Sequence, residues 1–190
     1  PKLGMALLLL GSLLWGASIL LIAQTYQMGG GENGGERRAV LYWFLGTLPL
    51  AYALLSQLHL ALSLVLAAIW LTMTLSGMER QPFQMHMLTY LAFGVLLYAL
   101  GRLHSTWRPV RTFAVPYGWL GLLGIFVALY VFTFEAFWHW PRYAGEISAD
   151  LLPLVAVLVP AGAVTVALTL TYARRDQADF AEAAGLLALI

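Results

Sequence analysis

The chain has 190 residues, of which 61% are hydrophobic and only 10% charged. A soluble domain carries about 25% charged residues, so this much apolar surface calls for lipid as its solvent. The formal charge of +1, from 10 basic and 9 acidic residues, leaves no basic field of the kind nucleic acid requires. With no cysteine, disulfides, thiolate nucleophiles, iron–sulfur clusters and Cys-type zinc sites are excluded.

Six stretches meet the requirement of roughly 17 to 25 mostly apolar residues per spanning helix. They are Leu3–Ala23, Ala39–Leu55, Leu58–Ser76, His86–Leu103, Phe113–Phe134 and Leu151–Tyr172, and a seventh begins near Ala181. In hydrocarbon every backbone N–H and C=O must find an internal partner, which predicts helices. The alternating ten-residue strands of a barrel are missing. The expected fold is all-α, a polytopic transmembrane helix bundle forming one domain over residues 1–190. Both ends are expected to be truncations, since the chain starts at Pro1 and stops inside the apolar run Ala181–Ile190.

The first stretch imitates a signal peptide, with Lys2 before Leu3–Leu10 and Gly16-Ala17-Ser18 resembling a cleavage site. Its apolar run continues to Ala23, however, which is long enough to span. Gly4, Gly11, Ser18 and Thr25 recur at intervals of seven, and Ser12 and Gly16 at an interval of four. Residues spaced by seven stay on one stripe of a helix. Small residues there let a second membrane helix approach closely, so Gly4, Gly11, Ser12, Gly16 and Ser18 are the expected packing positions. At the end of this helix, Gln24, Tyr26 and Gln27 offer donors and acceptors for a polar headgroup or small ligand, or for capping the helix itself.

Gly29 to Gly34 matches the dinucleotide fingerprint G-x-G-x-x-G literally. It follows a membrane helix instead of a strand, and no βαβ unit surrounds it, so a flexible connecting loop is expected. Farther on, Pro49 and Pro160 are helix breakers that permit kinks. No Asp, Glu, Lys or Arg falls in the middle third of any expected span, which argues against an ion-coupled pump.

Glu135, His139 and Arg142 follow at intervals of four and three near the end of the fifth span. A carboxylate and an imidazole together can shuttle a proton or supply two metal ligands, and a solvated ion cluster beside Trp138 and Trp140 uses the same residues. His59, His86, His104 and His139 lie at segment ends. Their spacing selects no pair for a haem, and no cofactor is expected.

If six spans alternate, Lys2, Arg102, Arg108, Arg111, Arg174 and Arg175 fall on one side, and Arg37, Arg38, Arg80 and Arg142 on the other. Three arginines between Arg102 and Arg111 are what retains a short loop in the cytoplasm. Residue 1 is therefore expected on the cytoplasmic face of a bacterial inner membrane.

Gly11-Ser-Leu-Leu-Trp-Gly-Ala-Ser-Ile-Leu-Leu-Ile-Ala-Gln-Thr-Tyr-Gln27, followed by Trp43 and by Leu45-Gly-Thr-Leu-Pro-Leu-Ala-Tyr52, resembles the bacterial membrane-protein family filed as domain of unknown function 2157. The resemblance covers residues 3–70, to Trp70. It implies a polytopic inner-membrane protein with a cytoplasmic N-terminal segment and further spans before this region, and it supplies no reaction. The chain departs from the family pattern in its Gly-rich loop at Gly29–Gly35 and in lacking that N-terminal part.

The small-residue stripe and the absence of midspan charges and of a catalytic constellation favour a non-catalytic subunit, scaffold or assembly factor. Its expected partners are the lipid bilayer and other membrane-protein chains or further copies of itself. The alternatives are a carrier or channel for a neutral or lipophilic solute, with Pro49 and Pro160 as hinges, and a membrane enzyme or metal site at Glu135 and His139.

Overall fold

Every regular segment among the described residues is helical, as backbone self-satisfaction in lipid demands. The computed structural model describes residues 2–26, 34–78, 83–134 and 151–172, and the chain divides into two units, Pro1–Gly77 and Met78–Ile190. The first unit holds α1 (Lys2–Thr25), α2 (Gly34–Ala53) and α3 (Gln57–Ser76). The second holds α4 (Phe83–Thr106), a 3-10 segment (Arg108–Phe113), α5 (Ala114–Phe132) and α6 (Leu151–Tyr172).

Four helices among the described residues are long and apolar enough to cross a membrane: Leu3–Thr25, Gln57–Ser76, Met85–Thr106 and Arg108–Phe132. The expectation of six complete spans is therefore corrected. The segment expected at 39–55 belongs to α2, whose first turn carries Glu36, Arg37 and Arg38. Only Ala39–Ala53 is left uncharged, which at 1.5 Å per residue is about 22 Å against a hydrocarbon core of about 30 Å. The segment expected at 151–172 is helical throughout, but its described apolar stretch is the shorter Leu154–Ala167. The seventh expected start, near Ala181, lies outside the described residues.

In the first unit α2 packs on both α1 and α3. Along α3 the buried residues Leu60, Leu64, Ala67, Leu71 and Leu75 recur every three or four positions and form one stripe. On α2, Ala39, Val40, Thr47 and Ala51 are buried. Pro49 lies inside α2, which nevertheless runs on to Ala53. Its turn also contains Thr47, whose Oγ1 donates to the Trp43 and Phe44 carbonyls at 2.9 and 3.2 Å.

The second unit is organised on α4, which packs against α5 and α6. Leu91, Val95 and Ala99, one helical ridge at intervals of four, meet Ile125 and Ala128 of α5 and Val166 of α6 in a shared core. Pro160 lies within α6, so neither proline ends its helix.

Candidate functional site

Two tryptophans and two glycines clasp α1 to α2. A Cβ on Gly16 would overlap the Cε2 and Cδ2 atoms of the Trp43 indole, and a Cβ on Gly46 would overlap Cη2 and Cζ3 of Trp15. Each helix thus lays an indole into a notch that a glycine leaves in the other. The Trp43 Nε1–H donates to the Ser12 carbonyl at 3.0 Å, which satisfies the one polar atom of a ring otherwise suited to apolar surroundings. Ser12 turns its own hydroxyl back to the Leu8 carbonyl at 3.0 Å.

The α2–α3 connection concentrates buried polar groups. Leu55 adopts φ 48°, and the Ser56 N–H bonds to the Ala51 carbonyl at 3.0 Å while the Leu55 N–H bonds to that of Tyr52 at 3.3 Å. This paired closure is a Schellman motif with leucine where glycine is usual. Ser56 then caps α3: its Oγ accepts from the His59 N–H at 3.4 Å and lies 2.9 Å from His59 Nδ1. His59 is only 1% exposed, and its Nε2 is buried with no hydrogen-bond partner. One turn on, the buried Ser63 Oγ donates to the His59 carbonyl at 2.8 Å.

Residues 1–60 match the family described as predicted membrane protein (DUF2157). The resemblance carried by Gly11–Gln27 and Leu45–Tyr52 thus holds over α1, α2 and the start of α3, ending at residue 60 rather than at Trp70. Both the Trp–Gly clasp and the Ser56–His59 cap fall within the part matching DUF2157. No curated protein and no solved structure matches the chain. Family match and apolar helices together make this a membrane-embedded helical protein.

Beyond the DUF2157 segment, α4 and α5 meet backbone to backbone. A Cβ on Gly121 would overlap the Tyr98 nitrogen and lie 2.8 Å from its Cα and 2.9 Å from the Gly94 oxygen. A Cβ on Gly94 would lie 2.9 Å from the Ile125 nitrogen, and one on Gly101 2.9 Å from the Gly118 nitrogen. These glycines were not among the expected packing positions. Their signal was available: Gly94 and Gly101 are seven apart, and Gly118, Gly121 and Gly124 follow at threes.

The connection between these two helices is tightly built. His104 Nδ1 bonds to the Leu100 carbonyl at 2.7 Å, Ser105 Oγ donates to that of Arg102 at 2.6 Å, and Thr106 Oγ1 to that of Leu103 at 2.7 Å. The His104 ring stacks on Tyr117 with centroids 5.0 Å apart. The 3-10 segment that follows carries Arg108 and Arg111, both exposed.

A cavity of about 210 Å³ lies between α4 and α6, walled by Met85, Leu88, Thr89 and Ala92 on one side and by Val155, Leu158 and Gly162 on the other. Its hydroxyl, Thr89 Oγ1, already donates to the Met85 carbonyl at 2.8 Å.

The residues singled out from the sequence fall in different places. Ser12 and Gly16 lie at the α1–α2 contact. Gly4 and Gly11 have nothing within 4 Å of a built Cβ, and Ser18 is exposed, with its hydroxyl on the Leu14 carbonyl at 2.9 Å. Gln24 and Tyr26 are exposed at the end of α1. Gln27, Glu135, His139 and Arg142 lie outside the described residues, and among those described no three His, Asp or Glu side chains gather as metal ligands.

Proposed function

We propose that this protein is a non-catalytic membrane subunit or scaffold that engages a second transmembrane helix through α1. The reading is carried by the division of labour on that helix. Ser12, Gly16 and Ala23 are buried, Ser12 and Gly16 against the α2 indole. The stripe Gly4, Gly11 and Ser18, about 120° away at 100° per residue, is exposed. Glycine in a membrane helix interior sacrifices helix stability relative to alanine, and its usual return is close helix approach.

Because the chain contains no cysteine, single-cysteine variants report contacts directly. Gly11→Cys and Ser18→Cys are expected to give a discrete cross-linked product in native membranes, whereas Leu13→Cys, exposed but off the stripe, gives none. Equal labelling by a lipid-soluble probe at all three positions, without a discrete product, would overturn the reading.

A carrier for a small lipophilic solute is the second reading, supported by the apolar cavity between α4 and α6. Cavities of this size with apolar walls stay dry and take small apolar molecules. Exclusion of such solutes from proteoliposome transport would remove it. That the Arg102–Arg111 connection faces the cytoplasm of a bacterial inner membrane is likewise our proposal; residue 1 falls on that same side only where α2 crosses as well, an even number of spans then separating the two.

A further inference from the structure

We propose that Arg108 and Arg111 form a binding site for the phosphate of an anionic phospholipid headgroup. In a 3-10 helix residues three apart eclipse one another, so these two guanidinium groups leave the segment Arg108–Phe113 on one face. At about 2.0 Å of rise per residue their backbones are only about 6 Å apart. Both side chains are exposed.

Two like charges held this way repel unless an anion lies between them. Along the chain no Asp or Glu lies between Glu79 and Glu135, and α4 and α5, which flank the segment, carry none. Arginine forks match phosphate oxygens in pairs, so a phosphate monoanion turns the repulsion into two charge-assisted contacts.

The setting selects a lipid over a soluble phosphate. The segment follows Met85–Thr106 and opens Arg108–Phe132, both long and apolar enough to cross a membrane, so its arginines stand at the end of a span, where headgroups lie. Trp107, 69% exposed, immediately precedes them, and an exposed indole at a span boundary sits at headgroup level. The back-bonded His104, Ser105 and Thr106 and the His104–Tyr117 stack hold the end of α4 in place. The site is therefore presented on a fixed frame, which lowers the ordering cost of binding. This inference is independent of the role proposed for α1.

Native mass spectrometry of the full chain in mild detergent tests it, with titration by phosphatidylglycerol and by phosphatidylcholine of the same acyl composition. The parent should bind the anionic lipid about thirtyfold more tightly, in line with two arginines at a charged surface. The double variant Arg108→Ala/Arg111→Ala should retain its helicity in neutral detergent and lose most of that preference. Arg37→Ala/Arg38→Ala, an equal loss of charge on α2, should keep it. If the double variant does not fold, Arg108→Gln and Arg111→Gln are each expected to lose roughly fivefold. No preference in the parent, an unchanged preference in the double or single variants, or an equal loss in Arg37→Ala/Arg38→Ala would overturn the proposal. So would displacement of the lipid by equimolar glycerol 3-phosphate, which would make the ligand a free phosphate.

Discussion

The Trp43 indole occupies the volume that a side chain on Gly16 would need, and its Nε1–H reaches past that glycine to the Ser12 carbonyl. Membrane helices gain little from apolar burial, because lipid is as apolar as their neighbours, so close packing and interhelical hydrogen bonds carry their association. Gly16→Ala should therefore displace the ring and destabilise the protein by about 1–3 kcal/mol, seen as a lower unfolding midpoint in detergent. Gly11→Ala, into open space, should be neutral or stabilising by up to about 1 kcal/mol. In a Trp43→Ala background the Gly16→Ala penalty should largely vanish. Equal effects at Gly11 and Gly16 would mean that the clasp does not form.

The α4–α5 pair offers a sharper contrast, because the groups that crowd Gly121 are backbone atoms of Tyr98 and Gly94, which cannot rotate away. Gly121→Ala must push the helices apart or break the local backbone, at a cost of roughly 3 kcal/mol. Gly118→Ala, three residues earlier on the same helix, meets nothing within 4 Å and should be tolerated within about 0.5 kcal/mol. Thermal unfolding of the two variants side by side checks this, and a tolerated Gly121→Ala would argue against the close pairing.

These contrasts mark what could be read in advance. Helical class and membrane embedding follow from the apolar runs, because lipid leaves the backbone no other solution. The stretch Ala39–Leu55 falls short of a span because α2 ends at Ala53 and opens on Glu36, Arg37 and Arg38, so the helix cannot be extended in uncharged residues at either end. Both small-residue sets on α1 were visible as spacings. Which of them meets α2 depends on where a tryptophan of another helix points, and single-helix periodicity carries no such information. Gly94, Gly101 and Gly121 are spaced as regularly, but only the backbone of the facing helix shows which glycines sit in the contact and which, like Gly118, meet open space. The Ser56–His59 contact was also out of reach, since it depends on a turn in which leucine takes a conformation usually left to glycine.

Ser56 serves His59 twice, accepting its backbone N–H and pairing with its Nδ1. Ser56→Ala should remove the cap and leave a second imidazole nitrogen without its partner, at a cost of about 2 kcal/mol. His59→Leu removes the ring and its unpartnered Nε2 together, and replacing a poorly satisfied buried polar group by an apolar one of similar shape is nearly neutral. In the His59→Leu background, Ser56→Ala should then cost only the cap, about 1 kcal/mol. A double-mutant cycle on unfolding in detergent measures the difference. An identical Ser56→Ala cost in both backgrounds would show that the hydroxyl and the ring are not coupled.

Leu55 ends α2 with φ 48°, where an L side chain crowds its own backbone at a cost of roughly 1–2 kcal/mol. The two hydrogen bonds that close the turn, from Ser56 to Ala51 and from Leu55 to Tyr52, use backbone atoms alone and survive any substitution that keeps this conformation. The Leu55 side chain is 52% exposed, so shortening it sacrifices little packing. Leu55→Gly should therefore raise the unfolding midpoint, the relief of strain outweighing the greater freedom of the unfolded chain by up to about 1 kcal/mol. Leu55→Val, β-branched and stiffer, should lower it. If glycine destabilises and valine does not, then Leu55 is held by side-chain packing, and the turn is not the strained element that its dihedral indicates.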